Sequence, residues 1–254
     1  NSLRFAFSRT VTRPSFIEMA PFLYQESYGS AQIRGNADLQ NGYNYNIDLR
    51  YELFEKNGDM LSITAYYKHL KAPIERVQTL SGGSAVHSFR NADNGMATGV
   101  EIEFRKEIVK DLRFGVNGSY MYTNVKLPEG GAYTNSQRAL QGASPYLANA
   151  DLTYSPAFSN DRQLSVALLY NLQGPRIHSV GISGLGDIKQ QPVHTLNFTG
   201  SYRFNRRFAV KLQVNDLLNQ DILFKQEVPT TGDKVEVERF RKGTGFEVGF
   251  SYDL

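Results

Sequence analysis

Glu101 and Glu103 stand two residues apart, with Arg105 two further on. In an extended chain, alternate side chains share a face, and same-face neighbours lie roughly 7 Å apart. That spacing could serve a pair of glycosidase carboxylates. With Arg105 completing the row, a hydrated charged wall accounts for it better. The four histidines, His69, His87, His178 and His194, fall in separate segments without the short spacings that put two ligands on one metal. No metal site and no cofactor is expected. Gly181-Ile182-Ser183-Gly184-Leu185-Gly186 has the glycines of a phosphate loop, but it opens no helix and no suitable lysine follows, so it reads as an exposed loop. Asn117-Gly118-Ser119 and Asn197-Phe198-Thr199 match the glycosylation pattern inside strand-like segments, where the match carries no meaning. No catalytic constellation emerges.

The elements that would position these residues share one period. From Tyr43 to Leu53 the odd positions are Tyr, Tyr, Ile, Leu, Tyr and Leu, while Asn44, Asn46, Asp48, Arg50 and Glu52 fall between them. One face is apolar and the other charged, as a strand demands. The alternation returns at Leu61–Tyr67, Val100–Phe104, Leu112–Tyr122, Leu164–Tyr170, Leu196–Phe204, Phe208–Val214 and Phe246–Leu254. No stretch shows helical periodicity. Short polar turns at 55–59, 109–111, 159–161 and 205–207 alternate with longer connections at about 10–42, 80–83, 127–142, 179–190 and 230–233. About ten antiparallel strands are expected, with two, 60–79 and 84–108, unusually long.

Composition narrows the classes. Cysteine is absent, which excludes a disulfide scaffold. The net charge of +3 is too small and dispersed to suggest nucleic acid as a partner. No apolar run approaches the length of a membrane helix, and no signal peptide is read at Asn1-Ser2-Leu3-Arg4. Short turns on one side and long loops on the other, with tyrosines spaced toward strand ends, suit a transmembrane β-barrel bathed in outer-membrane lipid. A soluble sandwich or lipocalin-like barrel also alternates, but its second phase would have to form a dry core, and here that phase is charged.

Local strings sharpen this reading. Phe7-Ser8-Arg9-Thr10-Val11-Thr12-Arg13-Pro14-Ser15-Phe16, followed by Glu18-Met19-Ala20-Pro21, resembles a stretch of the barrel in TonB-dependent outer-membrane receptors. Gly35-Asn36-Ala37-Asp38-Leu39 resembles that family's Gly-Asn-Pro-x-Leu element, with Ala37 in place of Pro and Gln40-Asn41 in place of Pro-Glu. Gly99-Val100-Glu101-Ile102-Glu103 and Asn215-Asp216-Leu217-Leu218-Asn219 are similar to two further family elements. Ser144-Pro145-Tyr146-Leu147-Ala148-Asn149 resembles the variant in receptors of Bacteroidetes-type bacteria. The strings occur in family order across nearly the whole chain. Leu254 departs from the usual terminal aromatic.

The resemblance implies that residues 1–254 are the C-terminal part of one barrel of about 22 strands. The signal peptide and plug domain would lie outside this part. It implies a receptor of the Gram-negative outer membrane, not an enzyme, that imports a scarce nutrient. Expected partners are its own plug and remaining strands, TonB, and a surface lipoprotein. On the polar phase, Asp48, Arg50, Glu52, Glu101, Glu103, Arg105 and Arg203 would face the lumen and plug. Their plainer reading is solvation of a wide lumen. The loop residues Tyr133, Asn135, Arg138 and Arg176 are candidates for substrate contact, because loops carry specificity on a rigid scaffold. Two other functions remain open: a passive or structural channel without a plug, and a ten-strand outer-membrane protease. The protease would need an acidic and histidine cluster at its rim.

Overall fold

A computed structural model describes residues 1–25, 32–55, 57–81, 84–128, 134–158 and 161–252. Ten strands follow one another in chain order through one antiparallel sheet. They are β1 (Ser2–Thr12), β2 (Gly42–Phe54), β3 (Met60–Lys71), β4 (Asn94–Val109), β5 (Leu112–Lys126), β6 (Tyr146–Tyr154), β7 (Gln163–Gln173), β8 (Val193–Arg203), β9 (Phe208–Asn215) and β10 (Gly245–Tyr252). Each hydrogen-bonds to the next, and the short strand Gln137–Arg138 extends the edge of β5. Among the described residues the sheet does not close: β1 and β10 each pair on one side only.

The register aligns the two phases across the sheet. Phe5, Leu49, Ala65, Val100 and Tyr120 form one row from β1 to β5. Leu168, Phe198, Val214 and Phe246 form another from β7 to β10. Most of these apolar side chains are exposed, with Phe5 at 71% and Leu49 at 48%, although Val214 is buried. The opposite phase turns inward, where Glu52 is 4% and Ser62 3% exposed. The sheet therefore curls with polar residues inside and apolar residues outside, the inverse of a water-soluble barrel and the arrangement hydrocarbon requires. Tyr43 to Leu53 covers about 33 Å along the strand, or about 25 Å along the membrane normal at a 40° tilt, the height of an apolar band.

The connections alternate as expected, but four of the five long ones are larger than the sequence suggested. The excursions on one end run over 13–41, 72–93, 127–145, 174–192 and 216–244. The expected connections at 80–83 and 230–233 fall within two of these excursions, and the strands expected over 60–79 and 84–108 are each interrupted. Ala72 adopts a φ of 51° immediately before Pro73, which has no N–H to continue the ladder. Ala92 and Asp93 make the matching break. Beyond it, Ile74–Ser81 and Ser84–Asn91 form a separate hairpin. A helix at Phe16–Met19 also escaped the periodicity. Its signal was local: Ser15 caps the Glu18 N–H, and the Glu18 carboxylate returns to the Ser15 N–H at 2.7 Å.

The dry core lies among these excursions. Ile33, Leu39, Val77, Val86, Ala92, Leu127, Ile177, Val180, Ile222 and Phe224 are all buried there. Two small sheets organise it. One joins 23–24, 33–34, 84–91 and 74–81, and the other joins 176–179, 188–190, 222–228 and 233–240.

Candidate functional site

The inner wall begins with the register rows. Arg4, Arg50, Thr64, Glu101 and Ser119 are opposite one another on β1 to β5. The adjoining row is Glu52, Ser62, Glu103, Asn117, Asn149 and Asn171, from β2 to β7. Glu52 accepts from Arg50 Nε at 2.9 Å and lies 3.2 Å from a terminal Arg4 nitrogen, while Arg105 pairs with Glu103 at 2.5 Å. The asparagines form a ladder, with Asn149 donating to Asn117 at 2.7 Å and Asn171 to Asn149 at 2.5 Å. Arg50, Glu101, Glu103, Asn117 and Asn149 line one cleft of about 320 Å³ in this wall. Arg203 lies in a second groove, on β7 to β10, with Gln163, Ser165, Ser201 and Lys211. Asp48 is half-buried on the same face, opposite Tyr66. The register places these seven residues, Asp48, Arg50, Glu52, Glu101, Glu103, Arg105 and Arg203, on the phase opposite the apolar rows. With Glu103 ion-paired to Arg105, the Glu101/Glu103 pair is part of a charged wall rather than two free carboxylates.

Gly99 shows why this wall needs its glycines. A Cβ there would collide with the Tyr120 carbonyl and come within 2.6 Å of the Tyr66 hydroxyl, so the missing side chain lets Tyr66 lie flat against the sheet. Thr98 fixes the same register by donating to the Tyr66 carbonyl at 3.0 Å.

The loop end carries a second candidate. A cleft of about 410 Å³ is lined by Tyr120, Tyr122, Arg138, Arg176, Asp187 and Lys189, among others. The structure thus brings Arg138 and Arg176 together and leaves Asn135 outside, exposed on the surface. Tyr133 lies outside the described residues. Arg176 donates to Gln190 Oε1 at 2.7 Å. Arg138 is not a surface side chain: it pairs with Glu75 at 2.9 Å, both side chains 5% exposed or less. Burial pushes the Glu75 carboxyl above the ordinary carboxylate range, outweighing the attraction of Arg138. Glu75 escaped the sequence reading because it sits in a hairpin that reads as a continuation of β3.

The remaining resemblance strings are structural staples of the loop end. Gly35 sits where a Cβ would lie 2.8 Å from the Glu18 carbonyl, and Asn36 donates its N–H to that carbonyl and its amide to the Phe89 carbonyl. Asn91 donates to the carbonyls of Gln40 and Ala72, each at 2.9 Å, and so ties two loops to the sheet. Asp216 and Asn219 adopt φ of 54° and 44° in the turn that ends β9. The histidines are scattered: Tyr170 bonds His194 Nδ1 at 2.6 Å, Arg76 bonds His87, His178 packs on Phe224, and His69 lies beside Tyr45. Among the described residues no three His, Asp or Glu side chains converge as metal ligands.

Comparison with solved structures finds this fold in receptors. A ferric enterobactin receptor mutant from Pseudomonas aeruginosa, bound to enterobactin, superposes with a TM-score of 0.66 at 20% identity, over 98% of this chain and 38% of that one. The siderophore receptor PirA from Acinetobacter baumannii gives 0.64 at 15% identity, over 98% and 38%. The copper transporter OprC gives 0.65 at 15% identity, over 98% and 36%. At these identities the likeness is one of fold, and the chain spans well under half the length of each. Comparison with curated proteins gives no match. The sequence matches the outer membrane protein beta-barrel family over residues 1–252. The chain, with lipid-facing rows outside and a hydrated wall inside, belongs to that family and resides in the outer membrane of Gram-negative bacteria.

Proposed function

We propose that the chain forms the C-terminal ten strands of a TonB-dependent receptor, which binds a scarce nutrient at the cell surface and imports it. The observation that carries this reading is an open ten-strand sheet with a continuous polar inner wall, matching 98% of its own length to 38% of a ferric enterobactin receptor. In hydrocarbon, unpaired backbone groups cost several kcal/mol each, so the free edges of β1 and β10 call for further strands. Those strands and a plug would come from the rest of the protein, and TonB would act through that plug. The two inner rows, Arg4 to Ser119 and Glu52 to Asn171, offer ion pairs and amide ladders to a plug. The cleft at Arg138 and Arg176 offers a candidate nutrient site. A surface lipoprotein would dock on the loop end.

The test is uptake in cells that express the whole protein, with and without functional TonB, using panels of iron chelates, cobalamin, glycans and peptides. Uptake of one class that disappears with TonB supports the reading. Uptake that persists unchanged without TonB favours a passive channel and overturns it.

A further inference from the structure

β5 outruns its neighbour at the loop end. It continues to Lys126, whereas its pairing with β6 stops at Tyr120 opposite Tyr146, and the short strand Gln137–Arg138 meets it only at Val125 and Lys126. Between these two pairings the edge of β5 is held by isolated hydrogen bonds. The Met121 N–H donates to the Pro145 carbonyl at 2.8 Å, and the Leu140 N–H to the Thr123 hydroxyl at 3.1 Å. The Arg138–Arg176 cleft, about 410 Å³, occupies this notch. Tyr120 and Tyr122 reach it from the outward phase of β5, and Met121 and Thr123 from the inward one. It therefore lies at the edge of the strand rather than on either face of the sheet.

The lining of the notch is mixed. Tyr120, Tyr122, Pro145 and Pro175 give it rings and apolar surface, while Arg138, Arg176 and the exposed Lys189 bring three cations against the one lining carboxylate, Asp187. Asp187 is buried, and its Oδ1 accepts the Gly181 N–H at 2.8 Å. Arg138 uses only one corner of its guanidinium: Nη1 lies 2.9 Å from Glu75 Oε2 and donates to the Ala139 carbonyl at 3.2 Å. Nε and Nη2, which form the opposite edge, are buried with no hydrogen-bond partner among the described residues. Glu75 lines a neighbouring cleft of about 290 Å³ and not this one, whereas Arg138 lines this one and not its neighbour. The pair thus stands in the partition between them, with the carboxylate on the far side and the unpartnered guanidinium edge toward the notch. Two parallel N–H donors on a rigid fork match the two oxygens of a carboxylate. A buried charged donor left unmet costs free energy that a ligand oxygen would recover. We infer that the notch binds a small carboxylate with an apolar, ring-bearing body, its carboxylate on the Arg138 fork beside Lys189 and its body against Tyr120, Tyr122 and Pro175. The inference rests on the reading of this cleft as the receptor's ligand site and names the class of molecule it takes.

The test uses the whole protein in detergent, titrated calorimetrically with N-acetylphenylalanine, with its amide and with maltose. The acid and the amide share one body and differ in charge. The acid should bind about tenfold tighter than the amide at neutral pH, and maltose more weakly than either. Lys189→Gln should weaken the acid about threefold and leave the amide unchanged. Arg138→Lys keeps the charge but loses the fork, and should lose most of the preference for the acid. If that variant fails to fold, Glu75→Gln/Arg138→Gln, which leaves no buried charge, should bind acid and amide alike. Arg207→Gln, at the turn end, should bind like the parent. Equal affinity for acid and amide in the parent overturns the inference, as does an undiminished preference in folded Arg138 variants. The import reading fails separately: uptake of the acid that persists without TonB counts against import, while a preference for the acid that depends on Arg138 still upholds the carboxylate site.

Discussion

Leu49 and Asp48 are neighbours in sequence, and the bilayer separates them. Leu49 faces outward near the middle of the apolar band, while Asp48 faces the polar interior. A charged residue on the lipid face at mid-membrane costs about 2–4 kcal/mol, and one fewer charge in a hydrated lumen costs little. Leu49→Arg should therefore deplete the heat-modifiable folded band in cold gel electrophoresis, and Asp48→Ala should leave it unchanged. Equal losses would reverse the assigned faces. Glu75 and Arg138 provide the second residue-scale prediction. Breaking a buried pair by removing one partner costs about 3–5 kcal/mol. In Arg138→Met, Glu75 is left buried without its cation, so its carboxyl rises further and the loop layer prefers it protonated. That stability is present at low pH and lost as pH rises through the raised value. Amide exchange over residues 74–77 in this variant should therefore be slower at pH 5 than at pH 8 after correction for intrinsic rate. The double variant Glu75→Leu/Arg138→Met should show no such difference.

At the scale of elements, alternation identified the barrel strands and both of their faces. It failed at the loop end because ordered hairpins are extended there too and follow the barrel strands after short breaks. Ile74, Val77 and Leu80 fall at every third position, unlike the alternation of Met60–Lys71, and the Ala72-Pro73 step marks the boundary. The four-residue helix is too short to show a period, and the capping box of Ser15 and Glu18 was its available sign. Inner-wall residues were legible because a strand face is fixed by parity. Loop contacts were not, since no pattern in the sequence places Arg138 on Glu75 across more than sixty residues. Parity also explains the glycine of the Gly99–Glu103 string. Gly99→Val would drive a branched side chain into the Tyr120 carbonyl of the adjacent strand, and backbone cannot step aside as Tyr66 could. The expected outcome is a loss of about 1–3 kcal/mol in urea unfolding from lipid vesicles, with Tyr66→Ala failing to rescue it. Rescue by that second change would place the conflict at the tyrosine instead.

For the whole molecule, the asymmetry of turns and excursions predicts orientation. Asn57 lies in the turn between β2 and β3, and Asn135 in the excursion between β5 and β6. In a chain without cysteine, Asn135→Cys should be labelled on intact cells by an impermeant maleimide, and Asn57→Cys only after the outer membrane is opened. The opposite pattern would invert the topology. The open edges make a further prediction. Residues 1–254 expressed alone should not give a monodisperse monomeric barrel, because β1 and β10 would expose backbone groups to lipid. A protease-resistant monomer would show instead that these edges can close on each other.

The placement of the buried apolar side chains has a consequence for how the protein loses its structure. Ile33, Val77, Leu127, Ile177 and Phe224 are buried in the loop-end excursions, where Val77, Ala92 and Leu127 form one cluster, whereas the spanning strands turn most of their apolar side chains outward. Two parts of one chain thus draw their cohesion from different solvents. The strands are held by the surrounding lipid and by ladder hydrogen bonds, and the caps by the hydrophobic effect in water. Denaturants that act on aqueous apolar contacts should melt the caps first and leave a threaded, still-paired sheet behind. Changes of acyl-chain length should do the reverse. Sequence drift in the caps is thereby uncoupled from insertion, and a lineage can remake its outer surface while the membrane wall stays fixed.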